Sequence, residues 1–140
     1  MRYFIVILVS FFVSVEANEI AVVKQVVGDA FAKSKSATVK LHEGLPLESN
    51  VVLITKDNAQ VTVIFKDASV LNIGANSFIK LDKFVFKPDA NKYNFKLFLK
   101  KGGIVFESGR IGDLAPKSFE LKTPQGVVAI RGTKFAVKVK

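Results

Sequence analysis

Apolar and polar residues alternate in short runs along most of the chain, and turn residues separate the runs. Strict alternation is typical of strands with one buried and one solvated face. The alternation is clearest in residues 94–100 and 134–140, where every second residue is apolar and lysines occupy many of the positions between. The residues predicted to face inward in these two runs are Phe95, Leu97, Leu99, Phe135, Val137 and Val139.

Recurring strand-like runs predict an all-β fold, in which roughly ten short strands form a sandwich-like or solenoid-like stack. No window shows the i, i+3, i+4, i+7 pattern of an amphipathic helix, so we expect little helix outside the N-terminal segment. Residues 127–130 are apolar on both faces, which predicts a central buried strand. Lys101-Gly102-Gly103 predicts a turn. The predicted strands are 20–27, 38–41, 51–55, 60–65, 70–73, 78–86, 93–99, 104–107, 119–122, 127–130 and 134–139.

The first 17 residues do not alternate. Arg2 and the terminal amine precede a thirteen-residue apolar run at 3–15, and small or aliphatic residues follow where a signal peptidase reads the chain. This pattern is typical of a secretory signal, and the run is shorter than the roughly 18–20 residues of a membrane-spanning helix. We therefore predict a signal peptide at 1–17 and one β domain at 18–140, located in the periplasm or secreted. No transmembrane span is expected after cleavage, and retention of the signal as an anchor stays open.

The composition narrows the chemistry that the domain can perform. The chain has no cysteine, 13 phenylalanines and a formal net charge of +9. The absence of cysteine excludes a disulfide scaffold, a thiolate metal site and a thiol nucleophile, and in an exported chain it fits a bacterial envelope.

The C-terminal stretch carries a motif in which an apolar strand, Thr123-Pro124, a second apolar strand, Arg131-Gly132-Thr133 and Phe135 follow one another. This order resembles the end of a FecR domain. Upstream, Asp67-Ala68-Ser69 resembles the Asp-Gly-Ser turn of that family, with Ala68 where glycine is usual. Residues 97–105 resemble its Leu-x-x-Gly-x-Val segment, and residues 26–28 and 43–47 resemble its opening.

The resemblance implies an extracytoplasmic all-β domain. In regulators of siderophore uptake this domain senses a TonB-dependent receptor and relays the signal to a sigma factor, and those regulators also carry a cytoplasmic anti-sigma segment and a membrane span. Neither is recognisable in this sequence. We therefore expect only the fold, the compartment and protein–protein contact to carry over, and not sigma-factor regulation.

The family motif residues have ordinary structural interpretations. Arg131-Gly132-Thr133 could present a guanidinium to a carboxylate or phosphate, but turn chemistry accounts for all three residue types, so we expect a turn. Thr123-Pro124 predicts a type II turn between two strands. Asp67-Ala68-Ser69 predicts a hairpin turn in which Asp67 bonds its own backbone rather than calcium.

We find no candidate for catalysis, for a metal or for a cofactor. His42 is the only histidine, and no Cys or clustered carboxylate accompanies it, so we expect a solvated turn residue. We therefore predict a protein that is not an enzyme and needs no cofactor.

The positive charge has three interpretations. Lysines on strand faces favour solubility and protect sheet edges. They could also attract an acidic protein partner or an anionic envelope polymer. Nucleic acid is the interpretation we favour least, because arginine clusters and exposed Tyr or Trp are missing.

The sequence favours an exported, non-catalytic FecR-like β domain that serves as a protein-binding or structural module of the bacterial envelope. The first alternative is an accessory component of a siderophore- or iron-type envelope signalling system, and the second is an enzyme of unrecognised type. The expected partner is an envelope protein or an anionic envelope polymer, and its identity and the oligomeric state stay open.

Overall fold

The computed structural model describes residues 19–129 and 134–140. These residues form twelve strands, one short helix, α1 (Arg110–Leu114), and two 3₁₀ turns, Pro88–Ala90 and Pro116–Ser118. The strands are β1 (Glu19–Val27), β2 (Ala30–Lys33), β3 (Thr38–Lys40), β4 (Pro46–Glu48), β5 (Val52–Thr55), β6 (Gln60–Phe65), β7 (Val70–Ile73), β8 (Phe78–Lys87), β9 (Lys92–Glu107), β10 (Phe119–Thr123), β11 (Gly126–Val128) and β12 (Lys134–Val139). The expected all-β class is confirmed.

The long strand β9 holds the sheet together. Its first part, up to Lys101, pairs with β8 and with β10, and its second part, from Gly102, pairs with β7 and β12. The strand thus joins two half-sheets. Half-sheet I contains β4, β1, β6, β7, the second part of β9 and β12. Half-sheet II contains β3, β2, β5, β8, the first part of β9, β10 and β11. The β9–β10 pair is parallel, and the other pairs are antiparallel.

The sheet curls into a half-barrel. Its main path runs from β3 at one end to β4 at the other. The chain connects these two end strands through only five residues, 41–45, so the ends must lie near each other. Leu41 donates its N–H to Ala30 of β2, and Val23 of β1 donates its N–H to Leu45, so the connection is bonded to both half-sheets.

Phenylalanine rings from both half-sheets fill the space between them. Half-sheet I contributes Phe65 and Phe106, and half-sheet II contributes Phe95 and Phe119. Phe65 lies 4.7 Å from Phe95, and Phe106 lies 4.6 Å from Phe119, centroid to centroid. Such ring pairs add about 0.5–1.5 kcal/mol each to the stabilisation from buried area. The inward-facing residues predicted for 94–100 are confirmed, since Phe95, Leu97 and Leu99 are buried.

The structure differs from several of the predicted elements. Strands β2 and β4 were not predicted; both are short, with four and three residues, and β4 begins with proline. Helix α1 was also not predicted, because its five residues cannot show a helical period. Lys101-Gly102-Gly103 is not a turn but part of β9, because Gly102 bends the strand from one half-sheet into the other instead of reversing it.

The predicted buried strand at 127–130 is also placed wrongly. Strand β11 ends at Val128 and pairs with β10 alone among the described residues, and Val127 is 60% exposed. Ile130 lies outside the described residues. The apolar character of residues 127–130 is therefore not enough to predict where this strand lies in the sheet.

Within residues 19–129 and 134–140, no helix has the length and apolar character needed to cross a membrane.

Candidate functional site

The turn Asp67-Ala68-Ser69 joins β6 to β7 and is an anchoring element of the fold. Asp67 is fully buried, and its carboxylate accepts hydrogen bonds from the Ser69 N–H (3.0 Å), the Ser69 hydroxyl (2.7 Å) and the Ile111 N–H (3.2 Å). The Ser69 hydroxyl in turn accepts the N–H of Gly109. The turn therefore holds the segment that leaves β9, and its polar groups are engaged in structure rather than open to a ligand.

The other buried polar groups are also engaged. Of the residues described, only Thr55, Asp67, Ser69 and Ser77 are buried and polar. The Thr55 hydroxyl donates to the Gly74 carbonyl at 2.6 Å and accepts the Ser77 N–H at 2.9 Å. Every buried side-chain oxygen or nitrogen in the described part of the chain has a partner. A polar group held unpaired for chemistry is therefore not found there.

The Thr123-Pro124 turn connects β10 to β11. The predicted type II geometry is wrong, because Gln125 lacks the positive φ that a type II turn requires at its third residue. The Thr123 hydroxyl donates to the Gly126 carbonyl at 3.1 Å and accepts the N–H of Gln125 at 3.2 Å. The predicted motif Arg131-Gly132-Thr133 lies outside the described residues. Phe135 is half-buried and packs on Phe106 at 5.5 Å, so this motif residue extends the aromatic core.

His42 is exposed, and its Nδ1 lies 3.1 Å from the Glu43 carbonyl oxygen. No group of three or more His, Cys, Asp or Glu residues that could hold a metal ion occurs among the residues that the structure describes.

The outer face of half-sheet II carries a line of residues that alternate between lysine and apolar. Strand pairing aligns Lys33 with Val52, Val52 with Lys80, Lys80 with Phe98, Phe98 with Lys122, and Lys122 with Val127. Because the adjacent residues on the same strands are buried, the aligned side chains share the outer face; these buried neighbours are Ala32, Leu53, Ile79, Leu97 and Leu121. We call these six residues the lysine row: Lys33, Val52, Lys80, Phe98, Lys122 and Val127.

All residues of the lysine row except Val127 line an open groove of about 830 Å³. Lys35 and Lys100 also line the groove, and Lys100 lies over the Phe78 ring with its Nζ 5.1 Å from the centroid. Asp82 is the one acidic residue in the lining, and its Oδ1 lies 3.7 Å from the Lys80 Nζ. Five lysines against one aspartate leave the groove with an excess of four positive charges. The groove is therefore suited to an anionic ligand.

The sequence predicted lysines on strand faces but not this alignment. Lys33 and Lys122 are 89 positions apart, so only the order of the strands brings them into one line. The strand β2, which carries Lys33, was not predicted at all. The available signal was the alternation around Phe98, which places that phenylalanine on the lysine-bearing face of its strand.

The model of the FecR protein family matches residues 51–140, which is nearly two thirds of the chain. The chain belongs to the FecR family. The match begins one residue before β5 and contains both the Asp67 turn and the Thr123-Pro124 turn, whereas β1–β4 precede it. No curated protein and no solved structure matches the chain.

FecR membership confirms the resemblance noted in the sequence. FecR is a regulatory signalling family rather than a family of enzymes, and its domains are associated with the cell envelope. Five of the six residues of the lysine row lie within the matched part of this FecR chain, and Lys33 precedes it.

Proposed function

We propose that this FecR-family protein is an exported, non-catalytic module of the bacterial envelope that binds another protein through the outer face of half-sheet II. The observation that carries the proposal is the lysine row, because it places a charged and partly apolar surface on a rigid sheet. Family membership supports a regulatory role, and the apolar run at 3–15 supports export.

A second candidate function is that of an accessory component in a siderophore- or iron-type signalling system. FecR membership favours it over an unrelated structural role. In that case the partner is a receptor or a protein that controls a sigma factor.

The test is crosslinking of the tagged full-length protein in the native envelope, followed by mass spectrometry of the captured material. We expect an envelope protein to be recovered, and we expect the FecR-family chain itself to begin at Asn18 because the signal has been removed. Recovery of a receptor or an anti-sigma protein would select the signalling role. Recovery of a polymer alone, or of nothing, would overturn protein binding, and a chain that stays in the cytoplasmic fraction would overturn export.

A further inference from the structure

The lysine row has a repeat that can be compared with the repeat of a ligand. Neighbouring strands lie about 4.8 Å apart, so lysines on alternate strands are about 9.5 Å apart at the backbone. Lys33, Lys80 and Lys122 follow this repeat, and Val52, Phe98 and Val127 stand one strand further on. The surface therefore offers positive charge and apolar contact alternately along one line across the strands.

The apolar positions of the row are accessible to a ligand. Val127 is 60% exposed, and Val52 and Phe98 are half-buried on the outer face. A hydrated phosphate polymer would meet the lysines but would leave these three side chains without apolar contacts. A protein segment can supply both carboxylates and apolar side chains.

An extended segment with a threefold repeat fits the spacing of the row. A polyproline-II-like chain has three residues per turn and a rise of about 3.1 Å per residue, so every third residue returns to the same edge after about 9.3 Å. Acidic residues at that interval would meet successive lysines of the row. The residues between them point about 120° to either side of that edge, so they flank the line of lysines and reach Val52 and Phe98 from its sides.

Resting on the proposed function, we propose that the lysine row binds an extended acidic protein segment in which an acidic residue recurs at every third position with apolar residues between. The lysines act as single-point donors on flexible side chains, so they tolerate small departures from this repeat. The groove adds Lys35 and Lys100 beside the row and thereby strengthens the attraction.

The experiment uses a fluorescent fifteen-residue peptide with glutamate at every third position and valine beside it, titrated with the full-length protein as recovered from the envelope. Three lysines are changed together because each exposed ion pair contributes little on its own. The triple variant Lys33→Gln/Lys80→Gln/Lys122→Gln should bind the peptide at least about fivefold more weakly than the unchanged protein. Affinity of the unchanged protein should fall as salt is raised, because exposed charges are screened.

Two matched controls separate the row from net charge. Lys24→Gln/Lys134→Gln/Lys138→Gln removes the same charge from exposed positions of half-sheet I, and it should stay within about twofold of the unchanged protein. A peptide of the same composition with its glutamates gathered at one end should bind more weakly than the repeating peptide. Val127→Thr, which keeps the shape of an exposed side chain, should weaken binding of the repeating peptide while leaving circular dichroism unchanged.

The remaining outcomes overturn the proposal in distinguishable ways. An equal loss of peptide affinity in the two triple variants would show that binding depends on net charge alone. Equal binding of the two peptides would refute the spacing. Tighter binding of polyphosphate, or of vesicles containing phosphatidylglycerol, would replace the protein segment by a phosphate-bearing ligand. If Lys33→Gln/Lys80→Gln/Lys122→Gln still captures its partner in the envelope, the protein does bind a partner, but the lysine row is not the binding surface. If the unchanged protein captures no envelope protein, the proposed function itself is overturned.

Discussion

At the scale of single residues, the turn between β6 and β7 shows how a local motif becomes a long-range anchor. Turn chemistry accounts for the bond between the Asp67 carboxylate and the Ser69 N–H. The bonds from Ile111 to Asp67 and from Gly109 to Ser69 span 44 and 40 positions, and no local pattern encodes them. A buried carboxylate is tolerated here because three donors surround it.

Ala68 has a strained backbone conformation in this turn. Its φ is +69°, a backbone conformation that L-residues adopt at a cost of about 1–2 kcal/mol. Glycine, which is usual at this place in the family motif, adopts it freely. The sequence therefore departs from its family at a position where the departure is strained.

We expect Ala68→Gly to stabilise the protein by about 0.5–1 kcal/mol, since the relief of strain exceeds the extra entropy that glycine brings to the unfolded chain. Urea unfolding gives the free energy directly. Asn50 also has a positive φ, of 68°, but asparagine tolerates it, so Asn50→Gly is the matched control and should change stability by less than about 0.5 kcal/mol. A loss of stability in Ala68→Gly would contradict the account of the turn.

At the scale of elements, β9 determines the architecture. Adjacent glycines beside two lysines are typical of a turn, and the sequence predicted one there. Gly102 instead uses its φ of +94° to redirect a continuous strand from half-sheet II to half-sheet I. A Cβ atom added at Gly102 would lie 2.5 Å from the Cα of Ser77, so the bend also depends on a close approach of two backbones.

We expect Gly102→Ala to destabilise the protein by about 2–4 kcal/mol, because a left-handed φ and a backbone contact act together. Gly103→Ala is the control on the neighbouring residue. Its added Cβ would meet only the Val137 carbonyl oxygen, at an ordinary 3.8 Å, so we expect a change below about 1 kcal/mol. Thermal or urea unfolding measures both. Equal costs in the two variants would show that the bend does not depend on Gly102.

The alternation of residues predicted most of the strands and the direction of their side chains, but it could not predict which strands are neighbours. Phe95, Leu97 and Leu99 were predicted to face inward, and they are buried. The register that aligns Lys80 with Phe98 and Phe98 with Lys122 arises from the sheet order. The family motif was recognisable from local residues, whereas the lysine row is a property of the assembled sheet.

At the scale of the whole molecule, the two half-sheets have different roles. Their inner faces share one core, which contains or contacts seven of the 13 phenylalanines. The outer face of half-sheet II gathers lysines into one groove. Part of the net charge of +9 is therefore concentrated at this groove. A concentrated positive charge attracts an acidic partner.

We propose that this FecR-family protein contacts its partner through half-sheet II. Site-specific photocrosslinking in the native envelope can locate the contact, with the photoreactive residue placed at Val127 on half-sheet II or at Val22 on half-sheet I. These valines are 60% and 40% exposed, so both positions can accept the probe without disturbing the core. We predict a crosslinked envelope protein from position 127 and none from position 22. An adduct from position 22 alone, or equal adducts from both, would contradict the account.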